Sequence, residues 1–232
     1  MKKFLSVFPF VVFFLTAGCI KLANLPPTST PQPTPVTAFE TEIIQFEIEP
    51  EHSRYNAIVE IKNTGETILD IGYSRFSIEV EDGHLVNTDS SSSIHSQLSL
   101  IAPGESGYYF AAREPLPQDT DYNKELHLVY DTQYIKKANV NAVTDYLTED
   151  VSFPDGDFTK AIGRVVNDTG ESAEFVDVIC ICYDSDHNIV TVGGTVISLA
   201  PNEKSDFSIY NMAAWGKNNI VDYEIKARKS VH

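Results

Sequence analysis

Cysteine is scarce in this chain: three in 232 residues, at Cys19, Cys180 and Cys182. So small a set excludes a disulfide-stapled scaffold, and the body must hold itself together by packing. Basic residues are also few, 17 Lys and Arg against 33 Asp and Glu, for a net charge of −16. That balance repels phosphate backbones and argues against a nucleic acid partner. The six histidines, His52, His84, His95, His127, His187 and His232, form no His-x-His or HExxH pattern. A zinc site is therefore not indicated. There is no G-x-S-x-G nucleophile elbow and no phosphate-binding glycine loop. Acidic residues abound, but nothing singles out a pair for glycoside hydrolysis. The sequence predicts neither an enzyme nor a cofactor. Sustained helical periodicity is missing after residue 38, which leaves strands as the building material.

The first residues are of a different kind. Met1-Lys2-Lys3 is a short basic start, and an apolar run from Phe4 to Leu15 follows, with Pro9 inside it. The run is about half the ~20 apolar residues a membrane-spanning helix needs. Together with the small residues Ala17 and Gly18, it reads as a secretory signal peptide over residues 1–18. Leu15-Thr16-Ala17-Gly18-Cys19 resembles the lipobox of bacterial lipoproteins, with Thr16 where Leu is commonest. The resemblance implies cleavage before Cys19 and acylation of its sulfur. Two or three acyl chains suffice for stable anchoring. Residues 19–38 then read as the lipidated cysteine and a linker. Leu25 to Thr37 is rich in Pro and Thr and carries no charge. Such composition buries no core and favours extended polyproline conformations, reaching roughly 60 Å at ~3 Å per residue. Lys2 and Lys3 belong to the leader, which leaves 15 basic against 33 acidic residues in the mature chain.

Beyond residue 38 apolar and polar residues alternate. Tyr55, Ala57, Val59 and Ile61 form one apolar face, Phe76, Ile78 and Val80 another, Leu126, Leu128 and Tyr130 a third, and Tyr223, Ile225 and Ala227 a fourth. Turn signals separate these runs at roughly ten-residue spacing, the pattern of antiparallel sandwiches. The pattern also repeats. Ile61-Lys62-Asn63-Thr64-Gly65-Glu66 leads to Ile101-Ala102-Pro103-Gly104-Glu105, and Val165-Val166-Asn167-Asp168-Thr169-Gly170-Glu171 leads to Leu199-Ala200-Pro201-Asn202-Glu203. Asn and Asp start turns through their own side chains, and Gly supplies positive φ. The glutamates after these turns are expected in solvent. A polar insert around Ser90 to Ser93 lengthens the first copy.

Gly163 to Asn167, Val176 to Asp184, Asn188-Ile189-Val190 and Leu199 to Glu203 resemble the FxLYD domain of bacterial extracellular lipoproteins. Tyr183-Asp184 supplies the Tyr-Asp of that name, Cys180 and Cys182 replace Phe and Leu, and His187 replaces a turn Gly. The first half is similar to related Ig-like domains, through Ile61 to Gly65, Phe76 to Gly83, and Pro103-Gly104-Glu105. The resemblance implies an all-β fold, with an Ig-like sandwich at 39–137 and an FxLYD-like sandwich at 138–232. It supplies no catalytic residues.

Few residues stand out for chemistry. Cys180 and Cys182 share one strand face, about 7 Å apart along the backbone, the edge of disulfide reach. They read first as small buried hydrophobes, with a strained bridge or a metal or redox pair as the alternatives. Asp184, Asp186 and Asn188 open like a calcium loop, but Ile189 and Thr195 stand where an EF-hand needs Gly and Glu. A hairpin turn is the simpler reading. Trp215, in a loop, either anchors a sugar or protein partner or caps the core. Tyr109 and Phe110 point to opposite faces of a strand, so one of the two is expected at the surface. Gly193-Gly194 suggests a bulge or tight turn. The sequence thus predicts a lipid-anchored extracytoplasmic chain presenting two Ig-like domains, with the membrane, an envelope protein or a glycan as partner. The alternative is an accessory substrate- or metal-binding module of an envelope transporter or hydrolase.

Overall fold

A computed structural model describes residues 37–72, 76–80, 85–86, 96–117, 120–154, 160–210 and 220–230. The signal peptide, Cys19, most of the linker, the Ser90–Ser93 insert, His84, His95, His232 and Trp215 lie outside them. The described residues form an all-β fold of antiparallel sheets, with one short 3-10 turn (Pro50–His52) and no α-helix.

The first half contributes ten strands. They are β1 (Phe39–Glu49), β2 (Arg54–Asn63), β3 (Leu69–Asp70), β4 (Phe76–Val80), β5 (Leu85–Val86), β6 (Ser96–Gln97), β7 (Leu100–Ile101), β8 (Ser106–Pro115), β9 (Leu126–Tyr130) and β10 (Lys136–Lys137). They pair in the orders β1-β2-β8-β6, β10-β3-β7 and β5-β4-β9. The second half contributes β11 (Asp145–Ser152), β12 (Lys160–Val166), β13 (Ala173–Tyr183), β14 (Ile189–Leu199), β15 (Lys204–Tyr210) and β16 (Asp222–Lys229), in the order β14-β13-β16-β11-β12-β15. The chain passes from one set of sheets to the other between Lys137 and Asp145.

The repeat seen in the sequence is a repeat of pairing. In the first half β2 lies between β1 and β8, and β4 lies between β5 and β9. In the second half β12 lies between β11 and β15, and β13 lies between β14 and β16. One buried asparagine closes each copy. Asn63 Nδ2 donates to the carbonyls of Thr67 (2.8 Å) and Ile101 (2.9 Å), and its Oδ1 accepts from Gly65 N–H (3.0 Å). Asn167 Nδ2 donates to Glu171 (2.8 Å) and Ala200 (2.8 Å), and its Oδ1 accepts from Thr169 N–H (3.0 Å). Each side chain ties the turn after its own strand to the Pro-x-Glu turn some thirty residues on, satisfying carbonyls that burial would otherwise leave unpaired. The left-handed position in the Pro-x-Glu turn is Gly104 (φ 82) in one copy and Asn202 (φ 56) in the other. Both residue types tolerate that conformation.

The alternating residues form two cores. One gathers Tyr55, Ala57, Val59, Ile61, Phe76, Ile78 and Tyr109. The other gathers Ala161, Val165, Val176, Val178, Cys180, Cys182, Phe207 and Ile209. Each buried Val, Ile or Phe side chain contributes about 1.5–3 kcal/mol of transfer free energy. A third cluster lies between the halves: Ile58, Leu98 and Tyr108 of the first meet Ile179, Ile181 and Val192 of the second. Residues 35–232 accordingly form one compact unit.

Three local expectations change. Neither Tyr109 nor Phe110 is exposed: Tyr109 is fully buried, and Phe110 is partly buried against the cluster that both halves share. Gly193 and Gly194 pair regularly with Cys180 and Ile179; the register shifts of that hairpin fall instead at Ala173/Val176 and Cys182/Tyr183. Glu66, Glu171 and Glu203 are exposed, but Glu105 is only partly so, because it pairs with a buried arginine.

Candidate functional site

The hairpin between β13 and β14 carries the residues that resemble a calcium loop. Asp184 Oδ1 accepts from the backbone N–H of Asp186 (2.9 Å) and of Asn188 (2.8 Å), and Oδ2 accepts from Asn188 Nδ2 (3.2 Å). The N–H of Asn188, with its side-chain amide, holds the Asp184 carboxyl below its ordinary pKa. His187 takes the left-handed position (φ 62), where glycine is the usual choice, and stacks on Tyr183 with ring centroids 4.4 Å apart. The carboxylate is thus already engaged in closing the turn, as in an Asx-turn. Among the described residues no group of three or more His, Cys, Asp or Glu side chains is placed to hold a metal ion.

Cys180 and Cys182 both face the second core and are 0% exposed. Their Sγ atoms are 3.7 Å apart, a hydrogen-bond distance for thiols and far from a bonded pair. The hydrogen bond with Cys182, and then burial, push the Cys180 thiol well above its ordinary range. The thiolate is the reactive form, so the raised Cys180 is chemically quiet, and burial shields both sulfurs from solvent.

An open cleft of about 460 Å³ lies on the second half, between Asp150, Ile162, Gly163, Arg164, Asp206, Phe207 and Ser208. It sits where the pairing of β11 with β12 shifts register between Glu149 and Ser152, with Asp150 in a left-handed conformation (φ 53). Asp150 forms an ion pair with Arg164. A side chain at Gly163 would meet the Phe207 ring 2.7 Å away, so this close approach requires glycine. The cleft offers one guanidinium and two carboxylates to a polar ligand. Sequence reasoning touched this cleft through Gly163 and Arg164, named only as family-like residues; the proximity of the charged groups depends on the bulge.

A buried electrostatic cluster lies elsewhere among the described residues. Arg228, 3% exposed, donates through Nε to Asp145 Oδ1 (2.6 Å) and through Nη1 to Glu105 Oε2 (2.6 Å) and the Leu100 carbonyl (2.9 Å). Burial pulls the guanidinium pKa down, but the hydrogen bonds to Asp145 and Glu105 outweigh it and leave it raised. Glu105 is held below its ordinary value chiefly by the hydrogen bond from Arg228. Beside it, Asp177 Oδ2 accepts from Ser99 N–H (2.9 Å) and Ser99 Oγ (2.7 Å), and Ser99 Oγ lies 2.8 Å from Ser230 Oγ. In the sequence, Arg228 simply follows Ala227 at the end of the fourth alternating run. A hint was available in Val178-Ile179-Cys180-Ile181-Cys182, whose unbroken apolar run signals a strand covered on both faces.

No protein-family model matches the chain, and no curated protein matches it at a significant level of similarity. No helix among the described residues is long and apolar enough to cross a membrane.

Proposed function

We propose that the chain is a bacterial lipoprotein, held outside the cytoplasm by acyl groups on Cys19, that presents two Ig-like β-sandwiches for binding or envelope structure. The observation that carries this reading is the order of segments. A basic start, a short apolar run and Thr16-Ala17-Gly18-Cys19 precede an uncharged Pro/Thr stretch, and that stretch ends where the β body begins at Phe39. An uncharged Pro/Thr stretch between a lipid and a folded body would serve to hold that body off a bilayer surface. The entry point fits the reading: Thr37 Oγ1 bonds Thr67 Oγ1 (2.9 Å), and the Ala38 carbonyl accepts from Thr64 and Gly65 N–H. The tether is thus tied to the Asn63 turn at one end of the first sandwich. The FxLYD-like residues of the second half support membership of the same extracellular class.

Detergent phase partitioning tests the anchor. The wild-type chain is expected in the detergent phase and Cys19→Ser in the aqueous phase. Partitioning of both into the aqueous phase would overturn the reading.

A further inference from the structure

We propose that the two sandwiches fold as one thermodynamic unit, each supplying the other with the second cover of a two-faced sheet, and that they do not behave as beads on a string.

The argument begins with β2. Antiparallel sheets commonly leave one face to solvent. Here Tyr55, Ala57, Val59 and Ile61 fill the first core from one face, while Ile58 on the opposite face is 2% exposed. Tyr108 on β8 is buried in the same way, and Phe110 and Ile44 pack beside it. The covering surface is the outer face of β13 and β14. Ile179 and Ile181 are at most 1% exposed, although Val178, Cys180 and Cys182 of the same strand fill the second core. β13 is therefore apolar on both sides, and the outer face of the β1-β2-β8 sheet gathers Ile58, Tyr108, Ile44 and Phe110 against it, so separation would expose apolar surface on each half. Leu98 sits in this cluster at φ 58, a left-handed backbone that leucine rarely adopts. Such a conformation persists only where the packing around it dictates it.

The polar groups of the interface are buried as well. Arg228 of the second half finds Glu105 and the Leu100 carbonyl on the first and Asp145 on its own. Asp177 of the second half takes two hydrogen bonds from Ser99 of the first. These groups satisfy one another only when the halves are together. Opening the interface alone would expose both apolar faces and break the Arg228–Glu105 and Ser99–Asp177 hydrogen bonds while both halves still bear the entropy cost of being folded, which disfavours a half-open state.

Native-state hydrogen exchange of the full chain at increasing denaturant tests this, with β2 and β13 read separately by mass spectrometry. The slowest amides of the two strands are expected to merge into one opening event in the wild type, a result that needs no variant. Ile181→Ala is then expected to speed exchange in β2 and β13 by the same factor, on the order of ten-fold or more. Two separate opening events, or an Ile181→Ala effect confined to the second half, would overturn the proposal. Neither outcome depends on whether Cys19 is acylated.

Discussion

Arg228 Nη1 lies 2.6 Å from Glu105 Oε2, across 123 residues of sequence and between the two halves of the body. The arginine is buried, whereas the Glu105 side chain is 38% exposed and that of Asp145 57%. Replacing Arg228 with Met keeps much of the stem but removes the charge from between two carboxylates. Breaking a fully buried pair costs about 3–5 kcal/mol. Since both acids here reach water, Arg228→Met is expected to lower stability by about 2 kcal/mol in urea denaturation, a discount that follows from solvent screening. Arg228→Lys should recover only part of the loss, because a single ammonium cannot reach Glu105, Asp145 and the Leu100 carbonyl together.

The same contact sets a pH dependence. Glu105 has its folded pKa lowered from 4.5, chiefly by the Arg228 hydrogen bond. A depressed acid stabilises the fold above its unfolded pKa and loses that contribution as pH falls through the folded value. Stability is therefore expected to decline below about pH 4.5, with Glu105→Gln showing a shallower decline than wild type over the same range. Parallel curves for the two proteins would count against the contact.

Asn63 and Asn167 perform one task twice, so their removal should cost alike. Each Ala substitution leaves two carbonyls without their donor at a buried turn, at about 1–3 kcal/mol per site. Asparagine to aspartate should be no better at either position, since the carboxylate accepts but cannot donate. Chemical denaturation of the four variants checks both statements, and a neutral Asn63→Ala would show that the turn holds itself closed without the side chain.

Cys180 and Cys182 should be invisible to thiol reagents while the chain is folded. Ellman's reagent is expected to titrate neither Cys180 nor Cys182 in the native state and both after denaturation, because both sulfurs are fully buried. Rapid labelling of the native chain would mean that the second core opens without global unfolding.

Strand identity and the two inner cores were legible because Tyr55 to Ile61 and Phe76 to Val80 alternate with a period of two. The paired Asn-Thr-Gly and Pro-x-Glu turns were legible because their chemistry is local. What joins the halves was not. Ile58 and Ile179 look like ordinary apolar neighbours in sequence, and only the fold shows that a second sheet covers them. Arg228, Asp177 and Ser99 are separated by 51 to 129 positions, and nothing local to any of them names the others. The calcium-like spelling of Asp184 to Asn188 falls on a hairpin turn in which the Asp184 carboxylate accepts from the N–H groups of Asp186 and Asn188.

The lipid on Cys19 is the claim on which location and role both rest, and intact-mass spectrometry of the chain extracted from membranes addresses it most directly. The account predicts a polypeptide beginning at Cys19 and heavier than its sequence by a diacylglyceryl group, with or without a further amide-linked acyl chain. A full-length chain retaining residues 1–18 at its unmodified mass would contradict it.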